Sequence, residues 1–340
     1  MIEKKSVTIE DIAREAGVSP STVSRVLNQS KPVNPQTAAA VRDAIERLRF
    51  RPNTAAQGLA RGKSRVIGVL TEDLASPFYG EIIRGVEQGF AHSQYYPLFV
   101  SSNWHPGAVI DGGPLDMLLN RRVDGLILVG SFFPESLLRD VIQQMPCIAV
   151  CQTVPGLERR SLLVESHQAA IQLTRHLIEL GHRRIVHITG PLSNSNARER
   201  LDGYSSALAQ AGIAVDPALI LTGNFLEESG LVAMGRFLAG GGRCTAVFAA
   251  NDQMALGARM ALFNHGLEVP RDVSLVGFDD QPVSRYTIPP LTTVSQPTAD
   301  LGRNAASAML SLLDGQQVDL PEFSARLVLR QSTAPAPESA

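Results

Sequence analysis

GVSPSTVSRVLN, residues 17–28, places three serines, a threonine, an arginine and an asparagine around a few aliphatic residues. Its Val23, Val26 and Leu27 repeat at helical spacing, so they form a buried stripe. Ser19 can cap this helix, with Pro20 at the first helical position, where a missing N–H costs nothing. Upstream, TIEDIAREA (8–16) reads as a first helix: Thr8 is its cap and Asp11 completes a near capping box. Ile9, Ile12, Ala13 and Ala16 line one of its faces, and Gly17 ends it. A third helix follows Pro35, with Ala38, Val41, Ala44, Ile45 and Leu48 facing inward. Three short helices, the first two joined by a glycine turn, predict an all-α helix-turn-helix domain over residues 1–51.

Residues 52–65 read as a linker containing one short helix around Thr54–Leu59. From Val66 the pattern changes. Apolar runs (VIGVL, LFV, GLILV, CIAV, RIVHIT, AVFAA, SLVGF) alternate with amphipathic stretches such as EIIRGVEQGFAH and QMALGARMALFNHG. This βαβ alternation predicts parallel sheets with helices on both faces, divided between two half-domains over 66–333. In such folds ligands bind beyond the carboxyl ends of the strands. The Pro/Ala-rich end, 334–340, is expected to be a disordered tail.

The chain has 340 residues, 44% hydrophobic and 19% charged, enough for sizeable cores. No apolar run is long enough to span a bilayer, and the N-terminus lacks the apolar segment of a secretory signal. Three sparse cysteines fit a reducing cytoplasm. The net charge of −2 hides an asymmetry. Residues 1–65 hold 12 Lys/Arg against 6 Asp/Glu, while the remainder holds 19 against 27. A basic head on an acidic body suits a polyanion partner for the head; an unevenly charged solvated surface is the alternative.

The ordered set VTIEDIAREAGVSPSTVSRVLN, RPNTAAQGLARGKSRVIGVL, GPLSNSNARERLDGY, FAANDQMALGA, VSLVGFDD and IPPLTTVSQP resembles the LacI/GalR family of bacterial transcription regulators over residues 6–333. The resemblance implies a DNA-binding head, a hinge helix that folds on the operator, and a two-lobed periplasmic-binding-protein-like body. It also implies a homodimer on a pseudo-palindromic operator, and a small-molecule effector.

In a helix-turn-helix the start of the second helix reads base edges in the major groove. Pro20, Ser21 and Arg25 hold the positions the family uses for sequence choice. Arg25 can pair in bidentate fashion with guanine. Ser19, Thr22, Ser24 and Asn28 suit phosphate oxygens. For Ser19, simple capping is the competing role. In the linker the resemblance adds Asn53, Ala56 and Leu59 as DNA-facing. Leu59 would wedge into a minor-groove step, and Ala55 and Ala56 would let two hinge helices pack closely.

In the body, candidate ligand groups fall at strand ends: Phe78, Tyr79, Trp104, Arg200, Phe225, Asn251 and Asp279. Carboxylate, amide and guanidinium groups with aromatic walls suit a sugar. The resemblance assigns Arg200, Asn251 and Asp279 to effector and Phe225 to stacking, with Asn196 and Arg198 as neighbours that tune choice. Asn251 and Asp279 have a competing role as helix caps, and Phe78 as core. Many relatives have an Asp-Asn pair where this chain reads Val164-Glu165-Ser166. A sugar or sugar derivative is the expected effector, with a purine as the alternative.

Two other classes stand against this reading. A transport-associated sugar-binding protein fits the body but not the basic head or the missing export signal. An enzyme lacks support: there is no P-loop, no G-x-S-x-G elbow and no His/Cys set at metal spacing, so no cofactor is expected. Dimerisation is expected on helices 81–91 and 229–238 and on the apolar face of 255–263.

Overall fold

The computed structural model describes residues 7–28, 31–50, 63–102, 113–130 and 135–338. Expectations for Asn53, Ala55, Ala56, Leu59, Trp104 and the short helix at 54–59 lie outside these residues. The chain divides into two units, Met1–Arg65 and Val66–Ala340.

The head contains α1 (Ile9–Glu15), α2 (Pro20–Asn28) and α3 (Pro35–Arg47). Thr8 and Asp11 close a full capping box: Asp11 N donates to Thr8 Oγ1 at 3.4 Å and Thr8 N to Asp11 Oδ2 at 3.0 Å. Gly17 sits at φ 66°, the left-handed conformation that turns α1 into α2. Ser19 Oγ accepts from Thr22 N at 3.2 Å, so it caps α2. Ile12, Ala13, Val23, Val41 and Ala44 form the buried core that the three apolar stripes predict.

The body opens with a five-stranded parallel sheet. Its strands are β1 (Val66–Thr71), β2 (Tyr96–Ser101), β3 (Gly125–Val129), β4 (Cys147–Val150) and β5 (Ser161–Leu162), in the order β2-β1-β3-β4-β5. Helices α4 (Pro77–Phe90), α5 (Gly113–Asn120) and α6 (Glu135–Gln144) accompany it. The run GLILV is apolar throughout because both faces are covered. Ile127 and Val129 enter one core layer, with Ile82 and Val86 of α4. Leu126 and Leu128 enter the other, with Leu115, Leu118 and Leu138.

A second parallel sheet contains β6 (Ile185–Thr189), β7 (Ile220–Thr222), β8 (Ala246–Ala249) and β9 (Ser274–Val276), ordered β7-β6-β8-β9. Between these strands run α7 (Ser166–Glu179), α8 (Ser195–Gln210), α9 (Glu227–Ala239) and α10 (Asp252–Asn264). After β10 (Thr293–Ser295) the chain returns to the first lobe, where α11 (Thr298–Leu313) packs Leu301, Ala305 and Met309 into the core that also holds Ile82, Val86 and Phe90. It then re-enters the second lobe as β11 (Arg326–Val328), antiparallel to β10. With the 162–166 segment, three strands of chain connect the lobes. The two parallel sheets are as the alternation predicts, and the antiparallel β10–β11 pair is an addition to them. β10 and β11 are three residues each and pair across some thirty residues, too short and too non-local for periodicity to register.

The tail also differs from expectation. Residues 334–338 are ordered rather than frayed: Ala336 N donates to Leu180 O at 2.8 Å and Ala334 N to Ser274 Oγ at 3.0 Å. His182, buried between α7 and β6, anchors this end through Nδ1 to Thr245 Oγ1 and Nε2 to Ala334 O, both at 3.0 Å.

His187, in the middle of β6, is fully buried, stacks on Tyr204 at 5.0 Å and bonds Phe248 O through Nδ1 at 3.0 Å. Burial holds its pKa down to about 3, from an ordinary 6.5. The unfolded chain then binds this proton below pH 6.5 and the folded chain does not. Stability from the neutral ring is complete above pH 6.5 and is lost as the pH falls towards 3, by up to about 1.4 kcal/mol per pH unit. His187→Gln is expected to flatten the pH 6-to-4 stability slope by about one proton's worth, measured by urea unfolding across that range.

Candidate functional site

A cavity of about 410 Å³ opens between the two sheets of the body, within the ~300–1,000 Å³ common for small-molecule sites. Its walls come from the carboxyl ends of strands in both lobes, as the βαβ pattern requires. From the first lobe come Glu72, which follows β1, Phe78 and Tyr79 in the first turn of α4, and Cys151 after β4. From the second come Asn194, Asn196 and Arg200 of α8 and its cap, Phe225, Asn251, Gln253 and Asp279. Gln296, just past β10, lies at a connection between lobes.

Arg200 and Asp279 dominate the electrostatics. Both are buried, and Arg200 Nη2 lies 3.6 Å from Asp279 Oδ1. Gln296 Nε2 donates to the same oxygen at 2.7 Å, which leaves Asp279 Oδ2 uncommitted. Arg200 also donates through Nη1 to Ala250 O at 2.5 Å, and its Cζ lies over the Phe278 ring, 3.9 Å from the centroid. Its Nε is buried without a partner, a donor held in reserve. Burial lowers the Arg200 pKa, against the opposing pull of Asp279. Burial pushes Asp279 up to about 6, despite the guanidinium and the Gln296 bond. At neutral pH the two are an ion pair.

Backbone strain gathers at the same walls. Cys151, Phe225 and Asp279, all lining the cavity, have φ of 59°, 71° and 110°. Such conformations cost of order 1–3 kcal/mol each and persist where surroundings enforce them. Phe225 is enforced from two sides. Asn251 Nδ2 donates to its carbonyl at 2.8 Å, and its ring covers Gly190, where a Cβ would lie 2.2 Å from Cζ. The ring thus seals the end of β6.

The sequence-based candidates sort themselves on this geometry. Phe78, Tyr79, Asn196, Arg200, Phe225, Asn251 and Asp279 line one cavity. Arg198 does not: it donates to Leu192 O at 2.5 Å and Ser193 O at 2.9 Å and lines an adjoining hollow that shares Cys151, Val164 and Asn196 with the cavity. Asn251 takes its alternative role as cap, with Oδ1 accepting from Met254 N at 2.9 Å, so it shapes the wall by holding α10 and Phe225. Asn196 ties the lobes together, donating to Cys151 O at 3.1 Å. Phe78 is half-buried, edge-on to Tyr79, and faces both core and cavity.

Glu72, Gln253 and Gln296 were not anticipated. Glu72 directly follows the first strand in VLTED, so the strand-end rule had the means to find it. Gln296 follows a strand that periodicity does not reveal. Asp252, which with Asn251 ends the AVFAA run, is a strand-end candidate with a structural role. It is fully buried and accepts from Gln281 N, Ser284 Oγ and Thr293 Oγ1 at 2.8, 2.6 and 2.6 Å, clamping the segment that carries Asp279 onto α10.

In the head, α2 turns Val23 inward and leaves Pro20, Ser21 and Arg25 exposed. Ser21 and Arg25, four apart, share one helix face. Ser19 Oγ lies 2.8 Å from Ser21 Oγ and 3.0 Å from Thr22 Oγ1, so the start of α2 presents a linked set of hydroxyls. Ser24 is half-buried. Asn28 closes the helix.

Comparison with known proteins agrees with both units. Residues 8–53 match the family model "Bacterial regulatory proteins, lacI family", and residues 174–333 match "Periplasmic binding protein-like domain". The transcriptional regulator GalR of Escherichia coli K12 is 37% identical over 332 residues, covering 96% of each chain. The lac repressor dimer bound to operator and the anti-inducer ONPF superposes with a TM-score of 0.84 at 32% identity, covering 97% of this chain and all of that one. The regulator CelR in complex with cellobiose superposes at 0.71 with 32% identity, covering 96% and 99%. Among the described residues no helix is long and apolar enough to cross a membrane. A helix-turn-helix head and a two-lobed body, with relatives matched along almost the whole length, lead to one assignment: this chain belongs to the LacI family of bacterial transcriptional regulators and is a DNA-binding regulator.

Proposed function

We propose that the chain is a repressor that binds a pseudo-palindromic operator as a homodimer and is controlled by a sugar or sugar derivative in the cleft between its lobes. The observation that carries the effector reading is the buried Arg200–Asp279 pair on the cavity wall, with Asp279 Oδ2 and Arg200 Nε uncommitted. Paired donor and acceptor groups of this kind hold adjacent hydroxyls, and the Phe225 and Phe78 rings offer apolar faces to sugar C–H groups. The cellobiose complex of CelR supports the same ligand class.

Arg25 reads a base pair, assisted by Ser21 and Pro20, while Ser19, Thr22, Ser24 and Asn28 position the helix on phosphates. Ser19 does so as a cap whose hydroxyl also serves its neighbours. Dimerisation rests on an apolar surface of the second lobe. Met260 and Phe263 of α10 are 53% and 74% exposed, and Tyr286 and Ile288 are 82% and 92% exposed. Arg259 holds these segments together, donating to Pro289 O at 3.0 Å. Exposed apolar groups this large mark an association site. Much of the apolar face on α4 and α9 is spent inside the chain instead, through Ile82, Val86, Phe90 and Met234.

Calorimetry of the full-length protein against aldohexoses, aldopentoses, cellobiose and purines tests the effector reading. A single sugar binding once per chain is expected. A purine binding in its place overturns the sugar assignment.

A further inference from the structure

The first-lobe wall of the cleft carries a carboxyl group that the Arg200–Asp279 pair does not use. Glu72 Oε2 accepts from Tyr79 Oη at 2.5 Å. Tyr79 is itself wedged over the end of β3: a Cβ on Gly130 would lie 2.8 Å from its Oη and 3.0 Å from Cζ. The tyrosine therefore cannot swing away easily, and it fixes Glu72 on the cavity wall.

The charge lining the cavity is lopsided. Among the described lining residues Glu72, Asp73, Glu227 and Asp279 stand against Arg200. Arg200 is committed to Asp279 and to Ala250 O. Arg198, the nearest other guanidinium in sequence, lines the adjoining hollow and is tied to two carbonyls. No lysine occurs anywhere after Lys63, and residues 103–112 and 131–134 contain neither lysine nor arginine. Among the described residues lining this cleft no lysine or arginine is free, whereas three carboxyl groups remain after the ion pair is counted. An anionic group entering it meets uncompensated negative charge at low dielectric.

We propose that Glu72, held by Tyr79, is a specificity-determining residue of the cleft, accepting a hydroxyl of an uncharged polyol and excluding phosphorylated or carboxylated ligands. This rests on the sugar-effector reading above and narrows it to neutral sugars. Glu72 faces Asp73 and Tyr79 on its own lobe, and Asp279, Arg200 and Cys151 also border the cavity. Burial pushes Glu72 up to about 7, so exclusion strengthens as the pH rises through neutrality.

The test is calorimetry of the full-length protein with neutral aldoses and cellobiose, alongside the 6-phosphates and uronates of the same hexoses. A neutral sugar is expected to bind at least tenfold more tightly than its phosphate or uronate. Glu72→Gln is expected to shrink that ratio to threefold or less. Tyr79→Phe, which frees the carboxyl, weakens the neutral sugar several-fold; thermal melting confirms that each variant is folded. For glucuronate, whose charge is constant over this range, the ratio is expected to grow from pH 6 to pH 8 in the parent protein and to stay flatter in Glu72→Gln. A phosphorylated sugar binding as tightly as its neutral form overturns the inference, as does a ratio unmoved by Glu72→Gln; both leave the sugar reading intact. Failure of every sugar to bind overturns that reading and this inference with it.

Discussion

Replacing Arg200 with alanine is expected to abolish effector binding and to destabilise the body by about 3–5 kcal/mol, the range for breaking a buried ion pair. The substitution removes the one guanidinium that lines the cleft among the described residues and the bond to Ala250 O, and it empties the surface of Phe278. It also strands Asp279. That carboxyl already sits near 6 with its partner in place; without it the pKa rises further. A carboxyl with a raised folded-state pKa costs stability above its unfolded pKa near 4, and the cost is relieved as the pH falls and the folded group takes up its proton. Urea unfolding is therefore expected to show a larger deficit for Arg200→Ala at pH 8 than at pH 5. A deficit independent of pH would place the damage in lost packing rather than in the stranded charge. Arg200→Lys keeps the charge but not the planar fork, and is expected to recover part of the stability and little of the affinity.

Arg25→Ala is expected to have the largest effect on DNA. A bidentate arginine–guanine pair contributes about 1–3 kcal/mol of discrimination, and a palindromic operator counts it twice in a dimer. The loss should fall on one symmetric pair of positions: base changes there matter for the parent protein and no longer matter for the variant. Lys63→Ala, an exposed cation in the basic segment after the head, is expected instead to weaken all sequences alike and to reduce the salt dependence of binding. Competition binding to a selected operator and its singly substituted forms separates the two patterns.

What was legible in the sequence follows the range of the interactions. The head's helices, its capping box and its Gly17 turn depend on residues within four of one another, and the structure places them where pattern and capping put them. The long apolar strands of both sheets are legible for the same reason. What escaped is non-local. The β10–β11 pair joins residues 293–295 to 326–328, the tail docks through His182, and Asp252 gathers three donors from 281–293. None of these contacts leaves a periodic trace. At the cleft, strand ends were enough to gather Phe78, Tyr79, Phe225 and Asp279, but residue type did not reveal which polar atoms are already spent. Asn251 and Arg198 have the right chemistry for a ligand and use it on their own backbone neighbours. Glu72, which was passed over, is on the wall.

Occupancy of the cleft is expected to change the affinity of the head for DNA. A ligand shifts that equilibrium only to the extent that it binds the DNA-competent and incompetent states differently. The direct measurement is the operator affinity of the full-length protein, with and without saturating effector, on a duplex selected from a random-sequence library. A change of about fivefold or more, the usual scale of allosteric coupling, is expected in the parent protein and none in Arg200→Ala. A ligand that binds the cleft and leaves operator affinity unchanged would contradict this expectation, as would a shift that survives the loss of Arg200.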